Sequence, residues 1–147
     1  MRRYTNWLTI SACLQLFTAA LHAVSLFTTA RPQTQAEEEM IRMISTYRLD
    51  MDFGFHPTFT ELFSALSSCF TLLCLLGGLV NGYLLLKRAG PHLMKGIIGI
   101  NVMIFGACFA MMAYFTFLLP ILSTGLIFAC LLGAYAAITF SVSADAD

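Results

Sequence analysis

Four apolar runs, each long enough to cross a membrane, constrain this sequence more than any other feature. They cover residues 7–29, 62–86, 97–118 and 121–140. An α-helix of about 20 residues spans the roughly 30 Å hydrocarbon core of a bilayer. The composition agrees, because 59% of the 147 residues are hydrophobic and 11% are charged, whereas soluble domains are about 25% charged. The sequence predicts a single all-α domain, a four-transmembrane-helix bundle.

The basic residues indicate which side of the membrane each end of the chain occupies. Arg2 and Arg3 precede the first run, and Lys87, Arg88 and Lys95 lie between the second and third. The positive-inside rule places both segments in the cytoplasm. We therefore predict an N-in/C-in protein of the bacterial inner membrane, with residues 32–56 outside. A cleaved signal peptide is the alternative for the first run, but no A-x-A site ends it.

The predicted external segment has the pattern of an interfacial helix. Thr34 and Glu37 have capping-box spacing, in which each side chain accepts a backbone N–H at the helix start. Apolar residues then recur every three or four positions, which predicts one apolar face on the membrane surface. We expect this helix to end at Gly54. The face consists of Met40, Met43, Ile44, Tyr47 and Met51.

Polar side chains also recur at helical spacing along the first two runs. Since polar groups facing lipid are costly, we expect both stripes to meet at the centre of the bundle. Small residues, as in Gly78-x-x-x-Gly82 and Gly125-x-x-x-Ala129-x-x-x-Gly133, should let helices approach closely. The stripes are Ser11, Gln15, Thr18, His22, Ser25 and Thr29 on the first run, and Glu61, Ser64, Ser68 and Thr71 on the second.

The rise of 1.5 Å per helical residue converts sequence position into membrane depth. With Trp7 and Lys87 at the inner boundary, His22 lies about 22 Å and Thr71 about 24 Å above it, so the two are level.

By the same measure, Gln15 lies about 12 Å above the inner boundary, and Asn81 and Asn101 each about 9 Å. These three amides are predicted to form an interhelical hydrogen-bonded cluster.

The outer end of the second run carries a carboxylate that needs a partner. Glu61 lies about 39 Å and Arg31 about 36 Å above the inner boundary, so they are predicted to form an outer polar pair. His56 and Arg48 are the alternative partners of Glu61. Thr58 and Glu61 also have capping-box spacing, which favours a helix start at this point.

His22 is the candidate for chemistry inside the membrane, because histidine titrates near neutral pH. A haem ligand or proton relay is possible, but a neutral, hydrogen-bonded structural histidine is favoured. Bis-histidine ligation would need His56. No metal site or other cofactor is predicted, since the five cysteines lie in apolar runs without C-x-x-C spacing. Phosphate-loop and hydrolase motifs are absent, and zero net charge argues against nucleic-acid binding.

The absence of a catalytic motif favours a function by contact with a protein partner or in a homo-oligomer. An accessory subunit, or an immunity protein against a membrane-acting toxin, fits this description. The alternatives are a haem- or quinone-binding redox protein using His22, and an oligomeric proton-coupled transporter using both stripes. The predicted contact residues are Met40, Tyr47, Arg48, Asp50, Asp52, Phe53, Phe55 and His56.

The layout resembles that of a group of small bacterial four-helix integral membrane proteins, and more loosely that of DoxX-like proteins. The similarity is carried by His22 late in the first run, the amphipathic segment Met40–Tyr47, and "RLDMDFGFHPTFTELF" leading into the second run. The resemblance implies the four-helix membrane fold and no particular activity.

Overall fold

The structure, a computed structural model, describes residues 2–28 and 31–144, with side chains from Arg3 to Ser141 in those ranges. Over these residues the chain is all-helical, with five α-helices and one short 3₁₀-helix. The elements are α1 (Arg2–Ser25), α2 (Gln35–Thr46), the 3₁₀-helix (Asp52–Gly54), α3 (Phe59–Leu86), α4 (Pro91–Phe115) and α5 (Leu118–Ala144).

Four of the helices are long and apolar enough to cross a membrane, which confirms the all-α prediction with four candidate spans. The candidate spans are Arg3–Ser25, Phe59–Leu86, Pro91–Phe115 and Leu118–Ser141. Thr29, the last residue of the first predicted span, lies outside the described residues.

Proline marks the starts of the last two long helices. Pro91 opens α4 at its first turn, where its missing N–H costs no helical hydrogen bond. Pro120 lies in the first turn of α5, which begins at Leu118. The first turn of a helix tolerates proline for the same reason.

The chain groups into two compact units, Met1–Thr18 with Cys74–Asp147, and Ala19–Leu73. We call them the core unit and the hairpin unit and describe each by itself. The assignment of one domain to the whole chain, and the N-in/C-in orientation, stay predictions.

In the core unit, parts of four helices pack in a closed ring. A β-carbon on Gly78 of α3 would lie 2.7 Å from Leu16 Cγ of α1, and one on Gly99 of α4 would lie 3.1 Å from the Tyr135 ring of α5. Phe105 of α4 approaches α3, and Trp7 of α1 approaches α5. Small residues therefore admit large neighbours at these helix–helix contacts.

The predicted Gly78-x-x-x-Gly82 contact surface is correct at one end and wrong at the other. A β-carbon at Gly82 would meet no atom within 4 Å, whereas one at Gly77 would lie 2.7 Å from Gln15 Nε2. Positions 77 and 78 both face neighbouring helices, and position 82 does not. The sequence motif places small residues four apart, but packing on two sides selects consecutive positions.

In the hairpin unit, the start of α2 follows the predicted capping pattern with one difference. The Thr34 hydroxyl oxygen accepts a hydrogen bond from Glu37 N at 3.2 Å. The Glu37 carboxylate accepts from Gln33 N at 2.6 Å, one residue before the expected Thr34 N–H. Both bonds satisfy N–H groups at the entry to the helix.

The predicted continuation of α2 through Met51 to Gly54 is wrong. The helix ends at Thr46, because Tyr47 is extended (φ −67°, ψ 122°). The chain then forms a short antiparallel hairpin, with bridges between Arg48 and Thr58 and between Met51 and Phe55. Cross-chain backbone bonds thus replace the helical bonds that the apolar spacing predicted.

Candidate functional site

The hairpin between α2 and α3 is closed by backbone hydrogen bonds along both of its arms. Leu49 N donates to Pro57 O at 2.9 Å, and Met51 N donates to Phe55 O at 3.0 Å. The Arg48 guanidinium adds a bond across the arms, donating from Nη1 to His56 O at 2.9 Å. These three hydrogen bonds within a short segment hold the two arms of the turn together.

Phe53 stands at the tip of this hairpin. Its side chain is 97% exposed, and its backbone adopts the left-handed conformation (φ 65°, ψ 20°). A bulky residue seldom adopts that conformation, which costs about 1–2 kcal/mol for a side chain larger than glycine. Gly54 beside it also has positive φ, 79°. The turn therefore displays an aromatic ring outward at a cost in backbone strain.

The residues predicted to contact a partner are all exposed in the structure. We call the following set the hairpin surface: Met40, Tyr47, Arg48, Asp50, Asp52, Phe53, Phe55 and His56. It combines large apolar side chains, such as Tyr47 at 60% exposure and Phe55 at 69%, with both signs of charge. His56 Nδ1 lies 3.4 Å from an Asp50 carboxylate oxygen. This contact joins two members of the hairpin surface, one on each arm of the hairpin.

At the base of the hairpin, Thr58 and Glu61 form a complete capping box. Thr58 N donates to Glu61 Oε2 at 2.7 Å, and Glu61 N donates to Thr58 Oγ1 at 3.2 Å. This confirms the capping interpretation of Glu61. In the ranges that the structure describes, Arg31 is exposed and no ion pair joins it to the Glu61 carboxylate.

His22 and Thr71 lie side by side, as the depth estimate predicted. His22 Nδ1 is 2.8 Å from Thr71 Oγ1, and the ring of Phe70 meets the imidazole edge-on at 5.1 Å between centroids. Thr71 Oγ1 also lies 3.2 Å from Ser67 O. When the Thr71 proton is donated to Ser67, Nδ1 must be the donor to Oγ1, and Nε2 carries the free lone pair.

The predicted amide cluster forms in the core unit. Asn81 Nδ2 donates to Gln15 Oε1 at 2.9 Å, and Asn101 Nδ2 lies 3.5 Å from Asn81 Oδ1. Asn101 also donates to Ile97 O at 3.0 Å. Gln15 and Asn81 have no exposed surface, and Asn101 is 8% exposed. The hydrogen bonds therefore link α1, α3 and α4 inside the packed interior.

Two buried polar atoms of α1 remain unsatisfied, one in the cluster and one on the turn of α1 that precedes it. Among the described residues, Gln15 Nε2 and Ser11 Oγ are buried without a hydrogen-bond partner. Both Gln15 Nε2 and the Phe105 ring lie against Gly77, so the amide nitrogen faces packed atoms. A buried polar group without a partner costs stability, which offsets part of the contribution of the cluster's hydrogen bonds.

The second predicted stripe meets the first at a single point within the hairpin unit's described residues, namely Thr71. Ser68 Oγ donates to Ser64 O of its own helix at 2.7 Å. Thr124, a buried polar residue that sequence reasoning missed, likewise donates to Pro120 O at 2.7 Å. Hydroxyl side chains in apolar helices often donate to a carbonyl oxygen of the preceding turn of their own helix. Helical spacing alone therefore does not identify interhelical partners.

Among the described residues, no group of three or more His, Cys, Asp or Glu side chains could hold a metal ion. Nε2 of His22 can accept a proton or act as one ligand to a metal ion. The hairpin surface can make apolar and charged contacts.

Comparisons with protein-family models, with curated proteins and with solved structures found no match to this chain.

Proposed function

We propose that this protein is a small multi-pass membrane protein that acts by binding a protein partner through the hairpin surface. The observation that carries the proposal is the exposure of Phe53. This residue is 97% exposed and lies on a strained turn that backbone hydrogen bonds hold closed. Strain of this kind persists only where the surrounding structure enforces it, and it is concentrated at functional sites. A rigid aromatic ring loses little conformational entropy on binding.

The composition of the hairpin surface supports a protein partner. Aromatic residues and arginine are enriched at binding hot spots, and Phe53, Phe55, Tyr47 and Arg48 provide both types. The acids Asp50 and Asp52 flank the aromatic tip. They favour a partner with complementary positive charge over a binding mode of full insertion into lipid, because buried carboxylates are costly.

We take the protein to lie in the bacterial inner membrane. The predicted topology then puts the hairpin surface on the external side. A partner would then be a membrane protein with an exposed external part. An accessory subunit of a membrane complex, or an immunity protein that neutralises a membrane-acting toxin, meets this requirement.

Site-specific photocrosslinking in intact cells tests the proposal. A benzophenone amino acid at position 53 should crosslink a protein of defined mass. The matched control is the same amino acid at Phe117, which is 70% exposed and lies in the connection between α4 and α5, on the same predicted side. Because both probes replace exposed phenylalanines, a crosslink at position 53 alone identifies the hairpin surface as the contact.

Equal crosslinking at positions 53 and 117, or recovery of the protein alone from both, would contradict partner binding by the hairpin. A partner crosslinked from position 53 that remains bound to the Phe53→Asn variant would show that the ring itself contributes little.

A second candidate function uses His22, and the His22–Thr71 contact favours it. A ligating histidine commonly donates its other ring N–H to a fixed oxygen, which orients the ring. Thr71 Oγ1 at 2.8 Å from Nδ1 is such an oxygen. His22 Nε2 could then coordinate a haem iron, or donate a hydrogen bond to a quinone carbonyl when Nε2 carries a proton. The absorption spectrum of the purified protein tests the haem version, and a Soret band that His22→Ala does not change would reject the role of His22.

A further inference from the structure

A groove runs along the core unit between the beginning of α1 and the last part of α5. Its volume is about 670 Å³, within the range of roughly 300–1,000 Å³ that ligand pockets in proteins occupy. Its lining includes Arg3 and Trp7 from α1, and Gly133, Ala136 and Phe140 from α5. The hairpin surface has no part in it.

The floor of the groove is open because the α5 residues there are small. A β-carbon at Gly133 would lie 3.2 Å from Trp7 Cδ2, so the indole ring packs against the helix backbone at that point. One turn further along α5, Ala136 is exposed, and the Phe140 ring, 76% exposed, follows. The indole and phenyl rings therefore form apolar walls, with alanine between them.

The two ends of the groove differ in polarity. Arg3 is exposed, and within residues 2–28 and 31–144 no carboxylate forms an ion pair with it. Trp7 follows four residues later, about 6 Å deeper along the helix. Tryptophan prefers the boundary between headgroups and acyl chains, so the predicted N-in topology would put Arg3 at the level of the lipid phosphate groups.

We propose that this groove is a binding site for an anionic phospholipid of the cytoplasmic leaflet. Arg3 binds the phosphate, and the upper part of one acyl chain lies against the Trp7 indole ring on the deeper side of the groove. Basic pockets between helices on the cytoplasmic side of membrane proteins bind anionic headgroups in this manner. The apolar walls commit the site to a lipid, because a free phosphate ion would make no contact with them.

Native mass spectrometry of the detergent-solubilised protein tests the proposal. The probes are dioleoyl phosphatidylglycerol and dioleoyl phosphatidylcholine, added in equal amounts. Wild-type protein should retain the anionic lipid preferentially. Arg3→Gln should reduce its affinity about fivefold, the effect of about 1 kcal/mol per basic residue at a membrane surface. Arg88→Gln, which removes the same charge from an exposed residue outside the groove, is the matched control and should have no such effect.

Ala136→Trp provides a second variant that changes no charge. The large side chain fills the floor of the groove and should reduce retention of phosphatidylglycerol to a similar extent. Thermal unfolding of each variant shows whether the fold is intact. Because Ala136 and Arg3 are exposed, we expect their transitions to stay near that of the wild type.

Three results would overturn the proposal. Equal loss in Arg3→Gln and Arg88→Gln would mean that the lipid responds to net charge alone. Equal retention of the two lipids by wild-type protein would remove the role of the phosphate–arginine contact. Displacement of the lipid by millimolar inorganic phosphate would identify a phosphate site without lipid specificity.

Discussion

The amide cluster of the core unit and the tip of the hairpin unit both place side chains against their usual preference. Gln15 and Asn81 are polar and have no exposed surface, whereas Phe53 is apolar and 97% exposed. The amides are compensated within the chain by a 2.9 Å hydrogen bond. The Phe53 ring has no such compensation among the described residues.

This difference separates residues that hold the fold from residues that are available for function. A buried polar group must find its partner inside the protein, or the fold loses free energy. An exposed aromatic ring on a strained turn lowers the stability of the fold and makes no contact that offsets this loss. We therefore expect substitutions in the core unit to change stability, and substitutions on the hairpin surface to change binding.

The largest effect should come from the tight contact between α3 and α1 at Gly78. Gly78→Leu would force new atoms against Leu16 and the Ala12 carbonyl oxygen, and should lower the free energy of unfolding by about 3 kcal/mol. Gly82→Leu is the matched control, since its β-carbon meets nothing within 4 Å. Unfolding in mixed detergent micelles measures both, and equal destabilisation would contradict the packing described for α3.

Double-mutant cycles should give the next largest effect. Alanine substitutions at Gln15 and Asn81 should show a coupling energy of about 0.6 kcal/mol or more, since hydrogen bonds between membrane helices average about 0.6 and reach about 1.7 kcal/mol. The Asn81–Asn101 coupling should be smaller, because that contact is 3.5 Å long and Asn101 has a second partner in Ile97 O. Zero coupling in both cycles would show that the amides act independently.

Phe53→Asn should separate the two regions most clearly. Asparagine tolerates the left-handed conformation, so the free energy of unfolding should change by less than about 1 kcal/mol. Co-purification of the partner that crosslinking identifies should nevertheless fall strongly in this variant, because the ring is lost. A large loss of stability would instead mean that Phe53 packs within the protein and would break the comparison.

The smallest effect should come from the exposed ion pair of the hairpin. Asp50→Asn removes the carboxylate charge that lies 3.4 Å from His56 Nδ1, yet exposed charge pairs contribute little because water and salt screen them. Thermal unfolding at low and at high salt should show no measurable difference from the wild type. A clear destabilisation that salt abolishes would assign the pair a structural role in the turn.

Much of the fold follows from local features of the sequence. The apolar runs predict the four long helices, because only about 20 apolar residues in helical form can cross a bilayer. The constant helical rise correctly places His22 beside Thr71 and Gln15 beside Asn81. The capping box at Thr58 is equally local, since it depends on a spacing of three residues.

The hairpin could not be predicted by the same reasoning. The spacing of Tyr47 and Met51 fits a helical face, and nothing nearby forbids a helix before Gly54. The extended conformation depends on bonds to Phe55 and Pro57, on the returning arm. Likewise, the groove between α1 and α5 depends on residues more than a hundred positions apart in sequence, Arg3 and Ala136.

By itself, then, the sequence determined the number of long apolar helices, their polar residues and the position of each residue along its own helix. These properties arise from bonds and solvent preferences within one segment. Only the tertiary structure decided that Gly77 and Gly78 carry the contacts of α3 while Gly82 does not. It also decided that Phe53 is displayed on a turn, because both outcomes depend on which distant atoms lie opposite.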